Sequence, residues 1–531
     1  MGAPGARPLP SAAMEWQPEL EEMARRRALA ARLGGEERVA RQRAAGKLTC
    51  RERIDAVVDP GSFREIGSLT GYASYDEDGN LVDLLPANFV AGRATVEGRP
   101  VMVGADDFTV RGGHADAAIH RKQVYAEQLS REFRIPMVRL IDGSSGGGSV
   151  KTYEETGRTY VPPLPGFEHQ VALLSEVPVV GAVLGPVVGL GAARAVLTHY
   201  TVMVRGIGQL FVAGPPVVAY ATGEEVSKDE LGGTDVHGAN GTVDDLADDE
   251  AEAFELLRRF LSYLPSSVWE PPPVVTSDDP PSRREEELGS IIPRNRRRPY
   301  DARRLISLVV DEGSFFEIGR AWARSSITGL ARLAGHPVAV LASDPFSWGG
   351  TLTALGAEKM RRMVDLADTF GLPVVNFVDQ PGFAIGTAAE RASTIRHGAR
   401  LIAALYQATV PFHTVIVRRA FGVAGAALVD RGDPDVRVAW PSADWGSLPL
   451  EGGIEAAFKR ELEAAEDPRA LRDEILARFE AIRSPLRTAE TFGIEEVIDP
   501  RDTRPLLCEW VKLVVRRLES RRGPRLRGHR P

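Results

Sequence analysis

A strand-length apolar run that feeds a glycine-rich turn and then a small-residue helix occurs twice in this chain, and that duplication restricts what it can fold into more than any other feature. The first copy starts at Val177 as Val-Pro-Val-Val-Gly-Ala-Val-Leu-Gly and continues Pro186-Val187-Val188-Gly189-Leu190-Gly191-Ala192-Ala193. The second is Val410-Pro411-Phe412-His413-Thr414-Val415-Ile416-Val417, then Phe421-Gly422-Val423-Ala424-Gly425-Ala426-Ala427. The patterning predicts strand, turn and helix in each, with Arg194 to Tyr200 continuing the first helix and His199 ending it. A helix N-terminus leaves N–H groups without intrahelical partners and aims them, with the dipole, at whatever negative charge stands in front. Each copy is thus a candidate oxyanion hole, although glycines at such turns also serve close packing.

The flanks repeat as well. Pro178 and Gly189 map onto Pro411 and Gly422 at one constant offset. At a second, Gly98 meets Gly335, Asp107 meets Asp344, Gly113 meets Gly350, Lys122 meets Lys359 and Asp142 meets Asp379. Asp59-Pro60-Gly61-Ser62-Phe63-Arg64-Glu65-Ile66 is echoed by Asp311-Glu312-Gly313-Ser314-Phe315-Phe316-Glu317-Ile318. A repeat this long reads as two similar domains, since solenoids repeat every 20 to 50 residues or so.

Along the chain, 14–42 reads as one solvated helix, and Thr49 caps a short helix that ends before Pro60. A hairpin over 89–108 turning at Glu97-Gly98, a helix over 120–133, a buried strand over 135–141 and a short helix over 256–264 give α/β layering around a largely parallel sheet. The expected organisation is an extension over 1–45, unstructured through 1–13, and a first domain over 46–265. A proline-rich linker over 266–299, a second domain over 300–520 and a mobile basic tail over 521–531 complete it.

Composition excludes several classes. The formal net charge of -8 argues against a nucleic-acid partner, and no run of 18 apolar residues is present to span a bilayer. Two cysteines, Cys50 and Cys508, are too far apart for a metal knuckle and too few for a disulfide frame, which points to a reducing, cytoplasmic setting.

Several short motifs stand in one order: Gly46-Lys47-Leu48-Thr49 with Arg51-Glu52-Arg53, Asp107-Phe108-Thr109-Val110 with Gly112-Gly113, and Ser145-Gly146-Gly147. Gly214-Pro215-Pro216, Thr222-Gly223-Glu224, Glu230-Leu231-Gly232-Gly233 with His237, Asp379 with Pro381-Gly382-Phe383, Ile395-Arg396-His397-Gly398-Ala399 and Trp440-Pro441 follow. In these residues, from Gly46 to about Leu518, the chain resembles the carboxyltransferase (beta) subunits of biotin-dependent acyl-CoA carboxylases, the propionyl-CoA and methylcrotonyl-CoA carboxylase group. The resemblance implies two tandem crotonase-like domains and chemistry done by backbone amides. Carboxybiotin, brought by a biotin carboxylase and biotin carrier partner, loses CO2 and leaves a biotin enolate in the hole of the C-terminal domain. Biotin takes the α-proton of an acyl-CoA (or a vinylogous γ-proton), and the thioester enolate, held in the N-terminal hole, attacks CO2. Each well-placed N–H is worth roughly 3 kcal/mol in such a transition state.

Carried over by position, Gly189 and Leu190 form the acyl-CoA hole and Val423 and Ala424 the biotin hole. Gly382, Phe383 and Gly422 stand on the biotin side. Ser145, Gly146, Gly147 and Gly148, with Gly112 and Gly113, line the CoA thioester, and Ala426 and Ala427 fall in the acyl pocket. The resemblance also implies a hexamer. Leu190 and Val423 stand where the family has glycine, which a backbone N–H donor tolerates if the local φ is negative. Gly148-Ser149-Val150 departs from the family's small-Arg-Ile pattern, and Ala426 and Ala427 are smaller than the family's residues. No biotinylation motif, ATP-binding loop or metal set is visible, so the chain takes its activated carboxyl group from a partner. The same holes run in reverse would serve a decarboxylase or transcarboxylase subunit, and altered holes a non-catalytic acyl-CoA-binding subunit. Asp379 and His397 are a candidate charge pair, with a structural role for the histidine as the plainer alternative.

Overall fold

The structure is a computed structural model that describes residues 15–114, 117–143, 153–154, 157–159, 161, 163–431, 436–480, 482–526 and 528–531. The start over 1–13 and the loop Ser145 to Gly148 lie outside the described residues.

Two sheets carry the chain. The first orders Arg64–Ile66, Phe89–Val96, Arg99–Asp106, Met137–Ile141, Val179–Val183, Tyr200–Val204 and Asp245–Ala247. The second orders Phe316–Ile318, Ser326–Leu333, His336–Ser343, Val374–Gln380, Phe412–Phe421, Val436–Ala439 and Glu496–Val497, with Asp444–Gly446 added beside Phe412–Phe421. In each, the first two pairings are antiparallel and the remaining four parallel. The duplication in the sequence is a duplicated sheet, and its details recur. The hairpins turn at Glu97-Gly98 (φ 51° and 76°) and at Ala334-Gly335 (φ 48° and 82°), positive φ at both central residues being what the strand twist asks of a two-residue turn. Asp59 accepts from the N–H groups of Glu97 and Gly98, and Asp311 from those of Ala334 and Gly335. The repeated Asp-x-Gly-Ser-Phe motif therefore latches each hairpin.

The central strands are buried along their whole length, as expected of parallel strands covered on both faces. The helix Glu250–Tyr263 starts ahead of the 256 read from the sequence, because Asp249 caps it by accepting from Glu252 N. It buries Phe254, Leu257, Phe260 and Leu261, each contributing about 1.5–3 kcal/mol, and Phe260 stacks on Tyr200 with ring centroids 4.7 Å apart. The two halves meet at the last strand of the first sheet. Asp245 accepts from Gly319 N at 3.1 Å and from Tyr200 Oη at 2.9 Å, and Arg362 donates to Asp244 at 2.8 Å.

Three expectations change. The single helix over 14–42 is two, Gln17–Ala31 and Glu36–Ala44, broken where Gly34 lies so close to Thr109 that a Cβ would stand 2.0 Å from its carbonyl oxygen. The first glycine-turn helix ends at Val196, not at His199. His199 leads into strand Tyr200–Val204, its ring bonded to Val179 N and Leu174 O at 3.0 Å each, and burial pushes its pKa down to about 3. The basic tail is docked in its described residues: Arg525 Nε donates to Asp368 O at 2.8 Å, and the buried His529 ring lies 4.8 Å from His199. Its anchors are backbone carbonyls and a ring, which composition does not reveal. Among the described residues of 265–300 there is no strand and no α-helix. This segment lies along the second sheet's core through Leu288 and through Arg283, which donates to the carbonyls of Leu308 and Val310.

Candidate functional site

Each glycine turn sits at the carboxyl end of a central parallel strand. In the first half Val179–Val183 gives way to Pro186–Val188, which pairs in parallel with Gln209–Phe211. Gly189 follows with φ 59° and ψ -118°, and the helix Leu190–Val196 begins at once. In the second half Arg419 to Phe421 pair in parallel with Asp444–Gly446, and Gly422 has φ 61° at the head of the next helix. These left-handed backbones favour glycine, and they swing the following N–H groups outward. Neither Leu190 nor Val423 has positive φ, so the side chains standing in place of glycine are unstrained.

The N–H groups divide unequally. Gly189 N donates to Phe211 O at 2.9 Å, so this glycine supplies conformation while Leu190 supplies the first N–H without an acceptor among the described residues. In the second half the N–H groups of Val423 and Ala424 are likewise without acceptors. Leu190 is half-buried. Val423 is 63% exposed while Ala424 behind it is fully buried, so the second helix start opens to solvent at Val423 only.

Around the first turn the structure brings Gly113 and Leu190 into one cavity of about 30 Å³, shared with Asp106, Gln170 and Arg194. Gly112 and Gly113, at φ 64° and 70°, form a tight turn against the end of strand Met137–Ile141, matched by Gly349 and Gly350 at 63° and 83°. Arg194 donates to Asp106 at 3.1 Å, and the Gln170 side-chain oxygen is buried without a partner among the described residues. Burial raises the Asp106 carboxyl above its ordinary range against the opposing pull of Arg194.

On the second side, Gly382 donates its N–H to Gln380 Oε1 at 3.0 Å and accepts from Leu352 N at 3.0 Å. The Phe383 ring packs on Gly398, where a Cβ would stand 2.4 Å from its Cζ. Ala426 is exposed and Ala427 buried, so the two do not share a face.

Beneath both turns lies a buried aspartate that spacing alone did not mark as a centre. Asp142, at the end of Met137–Ile141, takes Lys47 at 2.7 Å and Arg53 at 2.8 Å, and Arg53 is in turn bonded to Glu250 at 2.7 Å. Asp379, at the end of Val374–Gln380, takes Arg418 at 2.7 Å and Arg419 at 2.6 Å. Burial alone would raise the Asp379 carboxyl, but the hydrogen bonds and charge of Arg419 and Arg418 outweigh it and hold it below the ordinary range. Arg419 also donates to Gly349 O at 2.7 Å, tying the aspartate to the adjacent tight turn. The candidate Asp379–His397 pair does not form: His397 is bonded to Glu358 at 2.8 Å, because both arginines reach Asp379 from the neighbouring strand. Two arginines closing strand Phe412–Phe421, which carries no other Lys, Arg, Asp or Glu, just before a glycine turn were the available signal.

A crotonase-like sheet is built twice, each copy delivering a helix start behind a positive-φ glycine, a geometry able to accept a negatively charged oxygen on main-chain N–H groups. The chain matches the carboxyl transferase domain family over residues 41–529 and belongs to it. It is 36% identical over 514 residues to the propionyl-CoA carboxylase carboxyltransferase subunit of Haloferax mediterranei, covering 96% of this chain and 98% of that one. It is 32% identical to the methylmalonyl-CoA carboxyltransferase 12S subunit of Propionibacterium freudenreichii subsp. shermanii, covering 94% and 95%. The solved transcarboxylase 12S hexamer with methylmalonyl-coenzyme A and methylmalonic acid bound superimposes with a TM-score of 0.85 at 30% identity, covering 98% of each chain.

Proposed function

We propose that this chain is the carboxyltransferase subunit of a biotin-dependent acyl-CoA carboxylase and that it works as a hexamer with a partner bearing biotin. The observation that carries the reading is the pair of equivalent helix starts, at Leu190 and at Val423-Ala424, each behind a positive-φ glycine. Leu190 N–H receives the thioester oxygen as negative charge develops there on loss of the α-proton. Val423 and Ala424 N–H receive the ureido oxygen of the biotin ring. The exposure of Val423 leaves room for a ring delivered from outside the chain. Carboxybiotin brought by the partner would supply CO2 by cleavage of its N–C bond, the decarboxylated biotin would be the base for the α-proton, and the new bond would join that CO2 to the α-carbon. Gly112 and Gly113 flank the thioester. The Asp142 and Asp379 clusters fix the strand ends from which the two sites are built.

Two tests decide this. Calorimetry with short and branched acyl-CoAs should detect binding to the chain without its partner, and no binding up to millimolar concentration would remove the N-terminal site. With a biotin carboxylase and carrier, ATP- and bicarbonate-dependent carboxylation of an acyl-CoA should follow. The relationship at 32% identity to the methylmalonyl-CoA decarboxylase subunit alpha of Veillonella parvula supports a second reading, the same holes run in reverse. Discharge of a malonyl-type CoA ester onto free biotin, without forward carboxylation, would favour it.

A further inference from the structure

A cavity of about 390 Å³ opens on the opposite side of the second sheet from its glycine turn. It is lined where His336 and Pro373 stand at the amino ends of strands His336–Ser343 and Val374–Gln380, whereas Gly422 follows the carboxyl end of Phe412–Phe421. Pro271, Pro337, Pro373, Phe370 and Val515 form much of its wall, and prolines bring no N–H donors. Such a wall suits a hydrocarbon body.

The cavity's cations, Arg521, Arg525 and the exposed Arg522, come from the docked tail. Arg521 donates to Thr409 O at 2.9 Å, and Arg525 to the carbonyls of Asp368 and Arg521. Among the described residues neither forms an ion pair with a carboxylate, so part-buried guanidinium N–H groups remain for an anion. Burial, only partly offset by Asp368, holds Arg525 below the ordinary arginine range, as expected of a cation lacking a close counter-charge. Glu270 and Glu519 stand exposed on the rim, and the carbonyl end of helix Thr503–Glu519 adds further negative potential. These features oppose a multiply charged phosphate ester far more than a monoanion. A planar carboxylate also matches the guanidinium fork.

We propose that this cavity binds an aliphatic monocarboxylate of medium chain length, with its chain against the proline and Phe370 wall and its carboxylate on Arg521 and Arg525. The site is separate from both glycine turns, so occupancy does not exclude acyl-CoA.

The test uses the full chain and decanoate below its micellar concentration, followed by calorimetry. One decanoate per chain is expected, with decyltrimethylammonium failing to bind. Arg521→Gln with Arg525→Gln should weaken decanoate by about tenfold or more, the loss expected for charge-assisted hydrogen bonds. Val515→Trp, which fills the cavity, should abolish binding while circular dichroism and acyl-CoA affinity stay unchanged. Equal binding of the ammonium amphiphile, an unchanged affinity in the double variant, displacement of decanoate by acyl-CoA, or no binding at all would each overturn the assignment.

Discussion

The two halves solve one problem, fixing the end of a strand beneath a glycine turn, with different parts. In the first, Asp142 is held by Lys47 and Arg53, which come from a distant N-terminal segment and are themselves buried. In the second, Asp379 is held by Arg418 and Arg419 from the neighbouring strand, and Arg419 keeps a solvent-facing side of 20% exposure. The first site thus depends on chain closure over a long loop, the second on local strand pairing. Helix starts diverge in the same sense: Leu190 is half-buried beside the Asp106–Arg194 pair, whereas Val423 faces solvent. A buried, fixed first site suits a substrate retained through the reaction, and an open second site suits a group delivered by another protein.

The largest expected effect is on stability. Asp142→Ala strands Lys47 in a buried setting and should cost about 3–5 kcal/mol, the scale for breaking a buried ion pair. Asp379→Ala should fall lower in that range, because Arg419 can turn to water and the buried Arg418 keeps its bond to the Arg298 carbonyl. Denaturant unfolding of both variants measures the gap, and a costlier Asp379→Ala would reverse the contrast drawn here.

Next come the N–H groups. Ala424→Pro and Leu190→Pro each delete one donor and should slow carboxyl transfer about a hundredfold to a thousandfold. They should differ in kind. Ala424→Pro is expected to keep acyl-CoA affinity, and Leu190→Pro to keep discharge of carboxybiotin, with Ala424→Gly active as a control. Full turnover in both prolines, with folding verified by circular dichroism, would show that these residues are not the donors.

Gly189→Ala and Gly422→Ala sharpen the likeness of the halves. At each, an added Cβ would approach its nearest neighbour no closer than 4.0 Å and 3.6 Å respectively, so the cost is conformational, about 1–2 kcal/mol in both. Melting temperatures that shift unequally would mean the two turns are not equivalent.

Acid response, felt only below pH 6.5, separates the halves in another way. Burial pushes His199 down to about 3 and His413 to about 4, from an ordinary 6.5. The unfolded chain takes up these protons below pH 6.5 while the folded chain resists, so stability falls as pH drops from 6.5 toward 3 and 4 respectively. His199→Gln and His413→Phe should each flatten that slope in urea midpoints measured across the range. An unchanged slope would mean that neither histidine is buried neutral.

Much of this was legible in the residues themselves. The duplicated glycine turns, the hairpins at Glu97-Gly98 and Ala334-Gly335, the Thr49 cap and the helix His120–Phe133 follow from periodicities and turn chemistry that act over a few residues. So does the α/β class, whereas Leu190 and Val423 were reached only through the family resemblance. What pairs at long range was not legible. The choice of Glu358 over Asp379 by His397, the gathering of Lys47, Arg53 and Glu250 around Asp142, the break at Gly34 and the docking of His529 all join residues distant in the chain. Local sequence specifies backbone conformation because sterics and neighbouring hydrogen bonds decide it. Which buried charge meets which is decided when the sheets close, since desolvation makes an unpaired charge costly wherever packing happens to leave it.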